Sequence, residues 1–307
     1  MKVCCITNDV EATTIQGEAY KEEIALRVKN EAIPITLNLY RKYGIHATFF
    51  CVANMMEKHP DIITTLESEG HEIGCHGWVH DSDKAFDVLT CEEQVAHLRK
   101  AKTTLDALSK IPVVSFRAPA LRVNEDSVRA LRKTGFTYDS SVAPQRLDAF
   151  MSLGSKKKLQ WIGAPRGIYE TADNNLARSG NSGIKEVPVS AWGLPYIGTV
   201  LRMLPILTIF IRWMLYLETK RNNNKVVTLL FHPNELIVRH ESLNVIRRSK
   251  NPIVHFFTGK LRVFLKRRNF GPKCQKLIER EIQFWQRHGY EFCTISQVVE
   301  KINNKSL

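Results

Sequence analysis

Short apolar runs alternate along this chain with longer segments whose apolar positions recur every three or four residues. Runs at Lys2–Thr7, His46–Val52, Glu72–Cys75, Pro112–Phe116, Phe136–Ser140, Ile184–Val189, Val226–Phe231 and Gly289–Ile295 read as strands. Helical spacing marks Ile24–Tyr43, through Ile24, Val28, Ile35 and Leu39, closing at Gly44. Further helices are expected at Pro60–Glu69, stopped by Gly70, at Cys91–Ser109, and at Lys276–His288 with Leu277, Ile278, Ile282 and Trp285 inward. Asn124 reads as the N-cap of another, with Gly135 after its end. Met151–Gly183 is rich in Gly, Lys, Asn and Ser and reads as irregular loop. Regular alternation of strand and helix implies an α/β protein with a parallel sheet covered by helices. Seven or eight strands in a single domain over residues 1–307 suggest a barrel, complete or not.

In such a fold the carboxyl ends of the strands converge on one face, where sites are built. Here those ends carry Asp9 and Glu11, His76 and His80, Arg117, Asp139 and His232. The stretch His71-Glu-Ile-Gly-Cys-His-Gly-Trp-Val-His80 places two imidazoles four residues apart, within reach of one divalent ion. A hydrolytic metal site needs a third ligand, and Asp9 and Glu11 are the candidates. On an extended chain positions i and i+2 point the same way, so both carboxylates can enter one cavity. One would hold the metal and the other would take a proton from water. His232 is the best candidate for the proton donor to the leaving group. Arg117 is suited to fix the carboxylate base through a forked contact, and Asp139 to orient and charge His232.

Composition changes this picture in two places. The seven cysteines show no CxxC pair, and the N-terminus runs straight into an apolar strand without a leader pattern, so a reducing cytoplasm is expected. Between Leu201 and Arg280 there are 17 Lys and Arg against four Glu and no Asp, a surplus equal to the whole chain's +13. A basic excess confined to one region argues for one anionic contact surface. Trp192–Leu217 is apolar but interrupted by Pro195, Arg202, Pro205 and Arg212, a poor transmembrane span. In Ile253–Arg268, Phe256, Phe257, Leu261, Phe264 and Leu265 can share one face, while Lys260, Arg262, Lys266, Arg267 and Arg268 crowd the rest. That pattern fits an interfacial helix, and a basic, apolar, membrane-facing insertion is expected around residues 192–272. No nucleic-acid-binding motif is present.

Four motifs in order carry a family resemblance: Gly70-His-Glu-Ile-Gly-Cys-His-Gly-Trp-Val-His80, Phe116-Arg-Ala-Pro119, Tyr138-Asp-Ser-Ser141 and Leu229-Leu-Phe-His-Pro233. From Val3 to Val299 the chain resembles the polysaccharide deacetylases of carbohydrate esterase family four, with chitooligosaccharide-deacetylase homology. Glu186-Val-Pro-Val189 and Leu194-Pro-Tyr-Ile-Gly198 resemble the branch acting on exopolysaccharide and lipid-linked sugars. The resemblance implies a distorted (β/α) barrel, a divalent metal, usually zinc (Zn2+), and hydrolytic removal of an N-acetyl group. It makes His76 and His80 metal ligands, Arg117 the brace of the base, Asp139 the residue tuning the acid, and His232 the acid. Most members carry two adjacent aspartates in the first motif, whereas this chain has Asn8-Asp9-Val10-Glu11. If Asn8-Asp9 matches that pair the base is missing, and the protein is an inactive carbohydrate-binding homologue. Alternation favours the other register, with Asp9 as base and Glu11 as ligand. The expected substrate is a polyprenyl-phosphate-linked N-acetylhexosamine at the cytoplasmic face of an anionic membrane, in envelope glycan or lipid A modification. A deformylase on a lipid-linked amino sugar is the nearest alternative.

Overall fold

The computed structural model describes residues 2–15, 19–145, 161–222, 225–241, 251 and 255–304, with Phe257 and Thr258 described in backbone only. Strand β1 (Val3–Val10) is buried along its whole length, as expected of a strand covered on both faces. It sits between β2 (Thr48–Cys51) and β11 (Val227–Phe231), both parallel to it. From β2 the parallel order continues through β3 (Glu72–Cys75), β4 (Ser115–Phe116), β5 (Tyr138–Asp139) and β8 (Lys185–Glu186). An antiparallel hairpin, β6 (Tyr169–Ala172) and β7 (Asn175–Ser179), joins β8. The sheet then curls back on itself. Ser190 donates its backbone N–H to the Thr228 carbonyl at 3.1 Å, Thr228 N–H donates to Ser190 Oγ at 2.9 Å, and Ile197 bridges to Leu230. Seven parallel strands thus form an incomplete barrel, and β12 (Glu291–Phe292) adds to the start of β1.

Helices cover the outside. These are α1 (Glu22–Arg27), α2 (Ile33–Tyr43), α3 (Ala53–Lys58), α4 (Asp61–Ser68), α5 (Cys91–Leu108) and α6 (Ser127–Lys133). They are followed by α7 (Gly198–Met203), α8 (Pro205–Arg221), α9 (Arg262–Lys266), α10 (Pro272–Arg287) and α11 (Ile295–Asn303). One apolar cluster runs from Ile6 and Phe49 through Leu98 and Leu131 to Trp285. All seven cysteines are buried and unpaired. Among the described residues no helix is long and apolar enough to cross a membrane.

The structure departs from the sequence pattern where backbone chemistry intervenes. The helix expected over Ile24–Tyr43 is split by a π turn, Val28–Ala32, because Pro34 has no N–H to give and crowds the preceding turn. The strands expected at Pro112–Phe116, Phe136–Ser140 and Ile184–Val189 shrink to two residues each, and Pro112 and Pro188, which have no N–H, flank the first and last. Single ladder bonds extend them: Arg117 N–H to Cys75 O, Ser140 N–H to Phe116 O and Val187 N–H to Asp139 O. Asn124 does not cap α6, which starts at Ser127; its Oδ1 accepts from Asp126 N–H and from Gln94 Nε2. Within the expected loop Met151–Gly183, residues 151–160 lie outside the described set, and Tyr169–Ser179 form the β6–β7 hairpin. Its strands are short and polar, so they show no apolar run. Residues 192–272, expected as an insertion, contain β11, the strand beside β1. What lies outside the sheet there is the β9–β10 hairpin (Ala191–Trp192 and Leu194–Pro195) with α7, α8 and α9. Of the expected helix at Ile253–Arg268, residues 253 and 254 lie outside the described set, and the rest includes a π turn (Phe256–Leu261) and α9.

A buried histidine, His71, and a half-buried one, His97, hold backbone turns by accepting hydrogen bonds. His71 Nδ1 takes the Ala47 N–H at 3.2 Å, and His97 Nε2 takes the Trp78 N–H at 2.6 Å. Burial lowers each from an ordinary value near 6.5 to about 4. Protonation would remove the acceptor and charge a ring largely shielded from water. With the folded values depressed, their stabilisation is present above pH 6.5 and is lost as pH falls towards 4. Urea midpoints measured across that interval should fall, and His97→Gln, which keeps an acceptor but cannot titrate, should flatten the fall. A midpoint independent of pH over this range would contradict this reading.

Candidate active site

The carboxyl end of β1 splits its polar side chains between two faces. Asn8 turns away from the barrel mouth: its Oδ1 accepts from Tyr40 Oη at 2.5 Å and its Nδ2 reaches the Phe231 carbonyl at 3.4 Å. Asp9 and Glu11 point the other way, and both are buried. Alternation along an extended strand produces this division. The register in which Asn8 enters the site, leaving it without a base, has no geometric support.

Arg117, at the end of β4, is fully buried, and its guanidinium is held on every side. Nη1 donates to Asp9 Oδ1 and to Thr7 Oγ1, both at 2.9 Å. Nε donates to the Ser140 carbonyl at 2.8 Å, and Nη2 to Ser140 Oγ at 2.7 Å. The plane lies over the Phe50 ring, 4.2 Å from its centroid. One oxygen of Asp9 is thereby occupied, while Oδ2 faces His76 Nε2 at 3.8 Å and His232 Nε2 at 4.0 Å.

His76 and His80 follow β3. Gly77 adopts φ +77°, a left-handed conformation that turns the chain between the two imidazoles. His76 Nδ1 donates to the Arg117 carbonyl at 2.9 Å, which leaves a lone pair on Nε2. Burial keeps this ring neutral by lowering its pKa to about 4. Its Nε2 is buried without a hydrogen-bond partner and stands 3.8 Å from Glu11 Oε2. His80 Nε2 lies 2.9 Å from the same oxygen, and the three ligand atoms lie within 4.8 Å of one another. Ligands on a tetrahedral zinc at about 2.0 Å stand about 3.3 Å apart, a value these separations straddle. Two neutral-capable imidazoles, one carboxylate and a bare nitrogen lone pair in a buried pocket fit a divalent ion. Burial opposes ionisation of Glu11, but His80, His232 and His76 outweigh it and hold the carboxyl far below its usual range.

His232 ends β11 and completes the group, with Nε2 3.7 Å from Glu11 Oε1. The expectation that Asp139 orients this ring is corrected. Asp139 accepts from Ser141 N–H at 3.1 Å and Ser141 Oγ at 2.7 Å, and it pairs with buried Glu186. Burial raises both carboxyls, and repulsion from Asp139 raises Glu186 further. Asp139 therefore steadies the Ser140–Ser141 corner that grips Arg117; Ser141 Oγ also accepts the Ala118 N–H at 2.9 Å. The carboxyl facing His232 Nδ1, at 3.9 Å, belongs to Glu235. Burial lowers the His232 pKa, but Glu11, Glu235 and Asp9 overcome this and bring it to about 9. Glu235 is anchored by Arg202 Nε at 3.1 Å and Thr199 Oγ1 at 2.9 Å. Burial opposes its charge, yet Arg202 and His232 lower its pKa to about 2. Its sequence signal was an acid three residues after His232, in His-Pro-Asn-Glu.

A base braced by arginine, an ion-binding set of three and a cationic imidazole, all at one mouth of a curled parallel sheet, form the layout of a metal-assisted hydrolytic site. Residues 24–138 match the polysaccharide deacetylase family model, so this part of the chain is similar to that family. The match contains His76, His80 and Arg117, whereas Asp9, Glu11 and His232 come from β1 and β11 outside it. A peptidoglycan deacetylase of Helicobacter pylori is 29% identical over 110 residues, 36% of each chain. A Wigglesworthia glossinidia brevipalpis protein assigned as 4-deoxy-4-formamido-L-arabinose-phosphoundecaprenol deformylase is 33% identical over 92 residues, 29% of this chain and 32% of its own. The chain thus spans about a third of the length of these curated relatives. A solved structure from Mycobacterium smegmatis, assigned as a polysaccharide deacetylase, shares the fold with a TM-score of 0.58 at 15% identity, covering 100% of this chain and 92% of that one.

Two substitutions separate the carboxylates. Glu11→Ala should abolish stoichiometric zinc binding in calorimetry, whereas Asp9→Asn should retain it. Zinc retained by Glu11→Ala and lost by Asp9→Asn would reverse the roles. Glu235→Gln should lower kcat by roughly 10- to 100-fold with KM little changed, the loss expected when a general acid is left unsupported. An unchanged kcat would remove Glu235 from the account.

Proposed function

We propose that this protein is a metal-dependent amidohydrolase that removes the N-acetyl group from an amino sugar. The observation that carries the reading is the placement of Asp9 and His232 on the rim of the Glu11, His76 and His80 cluster, with Arg117 tied to Asp9. Glu11, His76 and His80 would hold the ion, zinc by the chemistry of the donor set. Such an ion, when bound, polarises the amide carbonyl and lowers the pKa of water. Asp9, its other oxygen held by Arg117, takes the proton of the attacking water through Oδ2. His232, whose Nδ1 faces the Glu235 carboxylate, gives its proton to the amine nitrogen as the C–N bond breaks and acetate leaves.

The substrate we infer is a polyprenyl-phosphate-linked N-acetylhexosamine, met at the cytoplasmic face of the cell membrane by a peripherally bound enzyme, in envelope glycan or lipid A modification. The basic surplus between Leu201 and Arg280 supports this, as does the similarity to a protein named for an undecaprenol-linked substrate. That name also favours a second reading, deformylation of a lipid-linked amino sugar by the same residues. Mass spectrometry of polyprenyl-linked sugars from cells with and without the protein separates the two. Deacetylation removes about 42 mass units, and deformylation about 28, both by hydrolysis of an amide. The first loss is expected. No change in any lipid-linked sugar would overturn the substrate assignment.

A further inference from the structure

Helix α8 is built inside out for a helix facing water. Its buried side carries Thr208, Ile211, Leu215 and Thr219. Its exposed side carries Ile206 (86% exposed), Ile209, Phe210, Trp213 and Leu217, one stripe at helical spacing. Trp192, from the β9–β10 hairpin, extends the stripe, its ring meeting Phe210 edge-on at 5.2 Å. Beside it an open apolar groove of about 430 Å³ runs between α8 and α10 over Leu201, Pro205, Leu277 and Phe284. Scattered exposed apolar residues need no explanation, but a contiguous aromatic and aliphatic stripe of this kind does.

The charges around the stripe identify what it meets. Lys220 and Arg221 end α8, and Arg280 and Arg287 stand exposed at the groove. Among the described residues no carboxylate lies within 4 Å of these four cations. The nearby acids are paired internally: Glu218 with Arg166 and Lys225, and Glu281 with Arg212, while Tyr196 Oη donates to Glu281. An apolar stripe with aromatics, rimmed by uncompensated cations, complements anionic lipid headgroups over an acyl layer. The helix is too short and too polar to cross that layer, so it lies along it. From α8 the chain leads straight into the site, because α7 packs beside β11 and its Thr199 bonds Glu235, the partner of His232.

We propose that the exposed face of α8, together with Trp192, docks this protein flat on an anionic bilayer surface. This deepens the lipid-linked reading and rests on it for the purpose of the surface. The docking itself is testable without the substrate. The full chain should float with vesicles of equal parts phosphatidylcholine and phosphatidylglycerol, and bind pure phosphatidylcholine vesicles on the order of tenfold less. The double variant Phe210→Glu/Trp213→Glu should lose flotation by at least roughly tenfold. Its circular dichroism and its release of acetate from a soluble N-acetylhexosamine should match the wild type, since neither residue touches the site. Wild-type protein that stays soluble, or a double variant that floats equally well, would overturn the proposal. So would a wild-type dimer that the double variant splits, with no vesicle binding, which would assign the face to a second copy. Vesicle binding without turnover of any lipid-linked sugar would leave the docking standing and sink the substrate reading instead.

Discussion

The contact between Arg117 and Asp9 is the constraint on which the rest of the site depends. A guanidinium with no exposure to water must have all its donors met, or it destabilises the fold by several kcal/mol. Every nitrogen of Arg117 finds a partner, four bonds in all, in Asp9 and Thr7 of β1 and in the carbonyl and hydroxyl of Ser140. The central strand and the far side of the sheet are thereby fixed to each other. The same bonds commit one oxygen of Asp9 and leave the other aimed at His76 and His232. Because Asp9 is held in this way, Glu11, two residues on, reaches the imidazoles, and Asn8 falls on the opposite side. A single ion pair therefore sets which carboxylate can bind a cation and which can move a proton.

Buried carboxylates and imidazoles at the site are arranged in opposed states of charge. His76 is kept neutral by burial and by its hydrogen bond to the Arg117 carbonyl, so its Nε2 can ligate. His232, half-buried at the mouth, is raised towards its cationic form by the carboxylates around it in the metal-free site. Burial and repulsion from Asp139 push the Glu186 carboxyl well up, towards its neutral form beside a second acid. Two like side chains given opposite protonation by their surroundings mark acid and base roles in hydrolytic sites generally.

Much of this was legible in the chain. The alternation of strand and helix gave the curled parallel sheet, because buried parallel strands must read as apolar runs. The residues at the ends of those runs gave Asp9, Glu11, His76, His80, Arg117 and His232, and period two alone predicted the separation of Asn8 from its neighbours. The place of Asp139 was not legible because sequence order cannot show that Ser141 folds back to take its carboxyl. Glu235 was missed because an acid after a strand-end histidine looks like an ordinary helix-start residue until Arg202, thirty-three positions earlier, is seen to fix it. The apolar segment around α8 was visible as composition. Which of its faces is exposed depends on the neighbours that α7 and α10 supply, and no local pattern encodes that.

The division of labour between the two carboxylates of β1 is tested most directly by crystals grown with zinc and measured at the zinc absorption edge. One anomalous peak is expected, bonded to a Glu11 oxygen, His76 Nε2 and His80, with Asp9 still held by Arg117 and outside bonding distance. A peak bonded to Asp9 instead of Glu11, or no peak among these side chains at saturating zinc, would contradict it.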